Sequence, residues 1–208
     1  MKRKILVTMF LAVGLLQSMA QNKNISCAIT AGVSTGSVRI TGVDDRFTGV
    51  IQGDNIFGIE GGFFAKIKLN PFHVKPAAMI LYKNGTVDVV NSESVAASRS
   101  DFKMSKLEVP LLFGINVIGP LNAEIGPVYN YVLDVTSQYN GHTADIPRNG
   151  LGYRAGVNAE LDRWTFGISY QAITNRFGSR GTFDSPDELI LGAALTFGSK
   201  PGMAPYRK

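Results

Sequence analysis

The chain has 208 residues, 45% of them hydrophobic and 18% charged, apolar enough to bury one domain's core and too apolar for a disordered tail or a miniature disulfide scaffold. Its 23 glycines and 9 prolines follow no fixed period, which excludes a collagen repeat and favours short strands over long helices. The formal net charge is +5, but Lys2, Arg3 and Lys4 lie in a segment expected to be removed, so charge points to no nucleic-acid partner.

That segment has a basic start, an apolar run over 5–16 and then Ser18-Met19-Ala20 ahead of Gln21. The run is too short to span a bilayer, and small residues occupy the positions a signal peptidase inspects. Residues 1–20 therefore read as a cleaved secretory signal peptide, followed by one domain over 21–197 and a short tail over 198–208. The single cysteine, Cys27, excludes an intrachain disulfide and a cysteine-rich metal cluster, and reads as a small apolar strand residue.

Beyond the leader, apolar residues recur with period two. In chain order the greasy positions run Ile25, Cys27, Ile29, Ala31 and Val33; then Phe57, Ile59, Phe63, Ala65, Ile67 and Leu69; then Phe72, Val74, Ala78, Ile80 and Tyr82. They continue with Leu107, Val109, Leu111, Phe113, Ile115 and Val117, and with Leu121, Ala123, Ile125, Tyr129 and Tyr131. The last three sets are Leu151, Tyr153, Ala155, Val157, Ala159 and Leu161; Trp164, Phe166, Ile168, Tyr170 and Ala172; and Leu189, Leu191, Ala193, Leu195 and Phe197. Each of these eight strands is about the 9–11 residues that a tilted strand needs to cross a bilayer.

Their connections alternate in length. Tight turns fall at Asn70-Pro71, Gly119-Pro120 and Asp162-Arg163, whereas 35–55, 84–101, 134–149 and 174–187 read as long loops. Short periplasmic turns alternating with long external loops mark an outer-membrane barrel. External loops add little to the ladder, so 35–55 should tolerate shortening, and Asn84-Gly85 and Asn140-Gly141 read as loop-tip turns. Phe72, Trp164 and Phe197 share the apolar parity near one rim and Tyr82, Tyr131 and Tyr170 near the other, the pattern of two aromatic girdles. The fold predicted is all-β, an eight-stranded antiparallel up-and-down transmembrane barrel. Periodicity alone leaves a soluble periplasmic barrel around a small apolar ligand open as the alternative.

Pro76, Pro110 and Pro127 lie inside strands that must pair on both sides, which predicts bulges there. The runs Phe72-His73-Val74-Lys75-Pro76, Leu107-Glu108-Val109-Pro110-Leu111-Leu112 and Glu124-Ile125-Gly126-Pro127 resemble the PorT-like outer-membrane β-barrel family of the Bacteroidota. The closing strand over 189–197 is similar too. The resemblance implies an eight-stranded barrel and little about activity, although a few members of that family assist secretion of other proteins. It departs from the usual aromatic barrel terminus, because 198–208 follow Phe197.

Catalytic chemistry is sparse. His73 and His142 are the only histidines, one near the periplasmic rim and one in an external loop, so neither a metal site nor an acid–base pair assembles from them. The run Gly141-His142-Thr143-Ala144-Asp145 is the wrong arrangement for an activated serine. A membrane-embedded lipid-modifying enzyme therefore stands only as a further alternative. No catalytic, metal-binding or cofactor-binding residue is predicted.

One constellation remains, on the inward parity: Glu60, Lys66, Lys75, Glu108, Glu124, Arg154, Glu160 and Glu188. Eight strands enclose only enough space for side chains, and unpaired ions there would cost several kcal/mol each. Lys66, Lys75 and Glu124 should form a lower layer, and Glu60, Glu108, Arg154 and Glu188 an upper one in which Arg154 is the only assigned cation. The sequence thus predicts an exported outer-membrane barrel with a structural or surface-interaction role. Its partners would be outer-membrane lipid, the barrel-assembly machinery and an unidentified loop-binding molecule.

Overall fold

The computed structural model describes residues 24–44, 47–91, 98–137, 149–177, 182–184 and 188–197. The leader, His142, Asn140-Gly141 and the tail lie outside them. The strands are β1 (Ile25–Asp44), β2 (Phe47–Leu69), β3 (Phe72–Asn91), β4 (Ser98–Ile118), β5 (Leu121–Ser137), β6 (Asn149–Leu161), β7 (Trp164–Phe177), β8 (Thr182–Asp184) and β9 (Glu188–Phe197). Consecutive long strands pair antiparallel, and β1 pairs with both β2 and β9, so eight long strands close on themselves. The three-residue β8 adds a patch to the upper part of β1.

Cross-strand partners starting at Ile67 lead through Val74, Phe113, Ile125, Ala155, Tyr170, Leu189 and Thr35 back to β2 at Phe57, ten residues further up. That stagger with eight strands corresponds to a tilt of about 40° and a lumen filled by side chains. The tight turns sit where the sequence predicts them. Gly119 takes the left-handed conformation at φ 53° and Asp162 at φ 56°, a region that glycine enters freely and aspartate tolerates. Each turn is tied to the neighbouring strand. The carbonyls of Pro71, Pro120 and Arg163 accept bonds from the N–H groups of Asn116, Glu160 and Thr196 at 3.3, 2.9 and 2.8 Å.

The polarity is inverted relative to a soluble barrel. Ile59, Phe63, Ile80, Leu111, Ile125, Val157, Ile168 and Leu191 are exposed outside, while Glu60, Lys66, Lys106, Glu108, Glu124, Arg154 and Glu188 are buried inside. A soluble barrel around an apolar ligand requires the reverse, so this wall faces hydrocarbon. Phe72, Trp164 and Phe197 stand exposed at the short-turn rim. Tyr82 and Tyr170 are exposed towards the opposite end, with Tyr131 partly exposed there.

Above the upper tyrosines the polarity flips within the same strands. On β3 the outward side chains become Asn84, Thr86 and Asp88 while inward Val87 is fully buried; on β4 they become Lys103 and Asp101 while inward Met104 and Phe102 are buried. Water replaces lipid outside at this level, so an ordinary soluble-type core of Ile56, Val87, Phe102, Met104 and Val132 forms inside.

Two expectations change here. Segments 35–55 and 84–101 are not long loops, because β1 to β4 continue through most of them. Asn84 pairs with Lys103 and Gly85 with Phe102, so Asn84-Gly85 is strand rather than turn tip. Turn-forming residues were outweighed by continued alternation with the opposite polarity. Shortening 35–55 would also bring the cut to Ile56, a buried residue of the upper core. The prolines form no bulges. Register is unchanged across Pro76, Pro110 and Pro127, and the shifts lie elsewhere, at Gly36/Val38, Gln52/Phe57, Ser105/Lys106, Asn116/Ile118 and Leu151/Gly152. The ladder instead omits two successive pairs beside a proline, as between Pro76↔Leu111 and Met79↔Glu108 or between Pro110↔Val128 and Phe113↔Ile125. Losing a donor costs one bond, whereas a bulge would turn every later side chain to the wrong face.

Arginine at Ile59, Leu111 or Val157 should destabilise the barrel by roughly 2–4 kcal/mol near the midplane and less towards either interface. Equilibrium unfolding from lipid vesicles measures this. Arginine at Gly156 should act differently, by steric crowding, because a Cβ there would already lie 2.6 Å from the Ile168 carbonyl oxygen. Aqueous thiol reagents reaching cysteines at 59, 111 and 157 as readily as cysteines at the extracellular ends would contradict this orientation.

Candidate functional site

Alternation places the inward side chains of eight tilted strands in a stack of layers, and the ionisable ones meet in two groups. In the lower group Lys66 on β2 pairs with Glu160 on β6, and Glu124 on β5 is shared by Lys75 and His73 from β3. The His73 Nε2 and Glu124 Oε1 atoms are 3.0 Å apart. Gly114 makes room for that ring, since a Cβ there would fall 2.2 Å from Nε2. Among the described residues His73 Nδ1 has no hydrogen-bond partner. The Lys75 ammonium also lies 5.0 Å from the Phe64 ring centre, a favourable cation–π distance.

In the upper group Arg154 on β6 bridges two carboxylates, with Nη2 3.1 Å from Glu60 Oε2 and 2.7 Å from Glu108 Oε2. Its Nε donates to Gln171 Oε1 at 2.7 Å, and Gln171 Nε2 donates to Glu108 Oε1 at 2.8 Å. Lys106 lies 2.7 Å from Glu108 and 2.9 Å from Glu188, and Lys83 donates to Glu188 at 2.5 Å. All eight residues singled out in the sequence lie in these two groups, with Glu160 in the lower one.

Arg154 is not the sole upper cation. Lys83 and Lys106 are fully buried there, which replaces the expected excess of carboxylate with a balance of five cations against five carboxylates over both groups. Parity alone could have found them. Lys83 shares the odd positions of β3 with His73 and Lys75, and Lys106 the even positions of β4 with Glu108. Gln171 and His73 complete the set as further hydrogen-bond partners.

Between the two groups lies a chamber of about 80 Å³, bordered by Thr30, Gly156, Thr165, Gly167, Ser169 and Gly192 on one side and by Phe64, Met79 and Leu112 on the other. Its size and partly polar lining suit water and nothing larger than a small solute. Above the upper ions the described part of the lumen holds the buried apolar side chains of Ile56, Val87, Phe102, Met104 and Val132. No group of three or more metal-ligating side chains occurs among the described residues.

No protein-family model matches the chain, and neither does any curated protein. Among solved structures it is similar to the outer membrane protein OprG of Pseudomonas aeruginosa, at 14% identity and a TM-score of 0.52, covering 87% of this chain and 100% of OprG. It is also similar to Ail, the attachment invasion locus protein of Yersinia pestis, solved with the heparin analogue sucrose octasulfate. That match has 14% identity and a TM-score of 0.49, covering 84% and 99% of the two chains. At such identities the likeness is one of fold, that of a small eight-stranded outer-membrane β-barrel.

Arg154 is the only cation in ion-pair range of Glu60 among the described residues, whereas Glu108 also has Lys106. Arg154→Met should therefore destabilise the barrel by about 3–5 kcal/mol, because it strands a buried carboxylate. Adding Glu60→Gln should recover a large part of that loss through a positive coupling energy. Unfolding of the single and double variants in detergent measures both; a single variant as stable as wild type would rule out a coupled network.

Proposed function

We propose that the chain is an exported outer-membrane barrel whose lumen is a structural plug and whose work is done on its extracellular wall. The observation that carries this reading is the lumen. Balanced, mutually paired ions fill the barrel at two levels, and an apolar core lies above them. Moving an ion along that path would mean breaking buried pairs and then crossing a dry layer.

The same reading gives Glu60, Lys66, Lys75, Glu108, Glu124, Arg154, Glu160 and Glu188 a stabilising role rather than a catalytic one. Residues 1–20 act as the export signal, 21–197 form the barrel and 198–208 the tail. Its contacts would be outer-membrane lipid, the barrel-assembly machinery and a partner held by the extracellular ends. Support for a surface role comes from β1 to β4, which continue past the tyrosines as paired strands with Thr86, Asp88, Asp101 and Lys103 outside. The resemblance to the PorT-like family, carried by the proline-bearing strand runs, supports the barrel itself, and assisting secretion, as a few members of that family do, is one form its envelope role would take.

Single-channel recording on the purified barrel in planar bilayers tests the plug. Wild type should show no openings above the empty membrane, and removing paired ions together with the apolar side chains above them, as in Lys106→Ala and Glu188→Ala with Phe102→Ala and Met104→Ala, should allow small ones. Sustained conductance by wild type would overturn the reading in favour of a transport pore.

A further inference from the structure

The periplasmic half of the outer wall carries an apolar trough of about 720 Å³ across β1, β9, β7 and β6. Register sets Ala31, Ala193, Phe166 and Ala159 side by side in one outward row. Val33, Leu191, Ile168 and Val157 form the outward row above, and Ile29, Leu195 and Trp164 the row below. Successive rows are two residues, about 7 Å, apart along the strands. Three of the four side chains in the middle row are single methyl groups, so this row is sunk between two bulky ones and is about one hydrocarbon chain wide. Phe166 stands within this row, between Ala193 and Ala159, stacked on Trp164 with ring centres 6.2 Å apart and planes at 14°. Directly beneath, in the short turn, Arg163 is exposed.

We propose that this trough is a slot for one acyl chain of an anionic phospholipid of the periplasmic leaflet, with the Arg163 guanidinium taking the lipid phosphate. The wall already faces hydrocarbon, so filling the trough needs no removal of water and is favoured by close packing against a surface that bulk lipid fits poorly. A cation at the membrane surface beside the slot supplies the complementary charge for a phosphate. A second copy of the chain fits less well, since a stable protein interface buries on the order of 1,200–2,000 Å² and this trough is only about one side chain deep. The inference rests on the membrane placement and not on the role of the lumen or of the extracellular wall.

Trp164 is the only tryptophan in the chain, so its fluorescence reports this site alone. The full-length barrel would be folded into phosphatidylcholine vesicles containing a minor fraction of phospholipid brominated on its acyl chains, with either a phosphatidylglycerol or a phosphatidylcholine headgroup. We expect brominated phosphatidylglycerol to quench Trp164 severalfold more effectively at equal mole fraction. Ala193→Phe, which fills the slot, should bring the two headgroups close to parity by displacing the chain. Arg163→Gln, an exposed turn substitution outside the ladder, should abolish the headgroup preference while leaving quenching by either lipid in place. Equal quenching by both headgroups in wild type, or an unchanged preference in Arg163→Gln, would overturn the slot. Absence of quenching by any brominated lipid would instead overturn the membrane placement on which the proposed function also depends.

Discussion

A strand edge inside hydrocarbon leaves a row of N–H and C=O groups with no partner, at several kcal/mol each. Pairing of β1 with β2 on one side and β9 on the other removes that edge, and much else follows from it. Eight strands closing with a stagger of ten residues leave a narrow interior, so every inward side chain meets others from across the barrel. Glycines at Gly114 and Gly156 give way to His73 and to the backbone of β7, because the interior lacks room for a Cβ at either position.

The same narrowness explains the ionic lumen. A lone buried ion would oppose folding, yet these ions come from strands far apart in sequence and neutralise one another. Lys66 and Glu160 are separated by 94 positions, and Lys83 and Glu188 by 105. Such long-range pairs form only when the barrel closes, which couples the charges to closure and makes wrong registers costly. This is specificity purchased through polar groups, and it is consistent with a structural role for the network rather than a conducting one.

Outside, the environment changes along each of β3 and β4. Where lipid surrounds the wall, the outward residues are Ile80, Leu111 and Val109; where water does, they are Thr86, Asp88 and Asp101. Inside, charge gives way to Phe102 and Met104 at the same level. The barrel is therefore a membrane protein below this boundary and an ordinary β-structure above it, and the boundary fixes how much of the chain stands in water at that end. At the other end, the row of alanines beside Trp164 gives the lipid-facing wall a shape of its own.

Period-two alternation, three tight turns and two sets of rim aromatics are local signals, because a strand's two faces and a turn's backbone depend on neighbouring residues. They were enough to determine the strand count, the antiparallel order and which side chains point inward, including all eight ionisable residues singled out. The upper halves of β1 to β4 look like loops in the sequence, and on β3 and β4 the reason is visible: alternation continues there with reversed polarity, which resembles a polar loop until the lipid boundary is known. Only the closed structure decided which charges meet. Lys83 and Lys106 carried the right parity in the sequence, but their partnership with Glu188 depends on the stagger of the whole barrel, a quantity that accumulates around eight strands and is encoded in no single one. The prolines teach the same lesson, since whether a strand bulges or drops a bond beside Pro110 is settled by its neighbours' need to keep hydrocarbon outside and charge within.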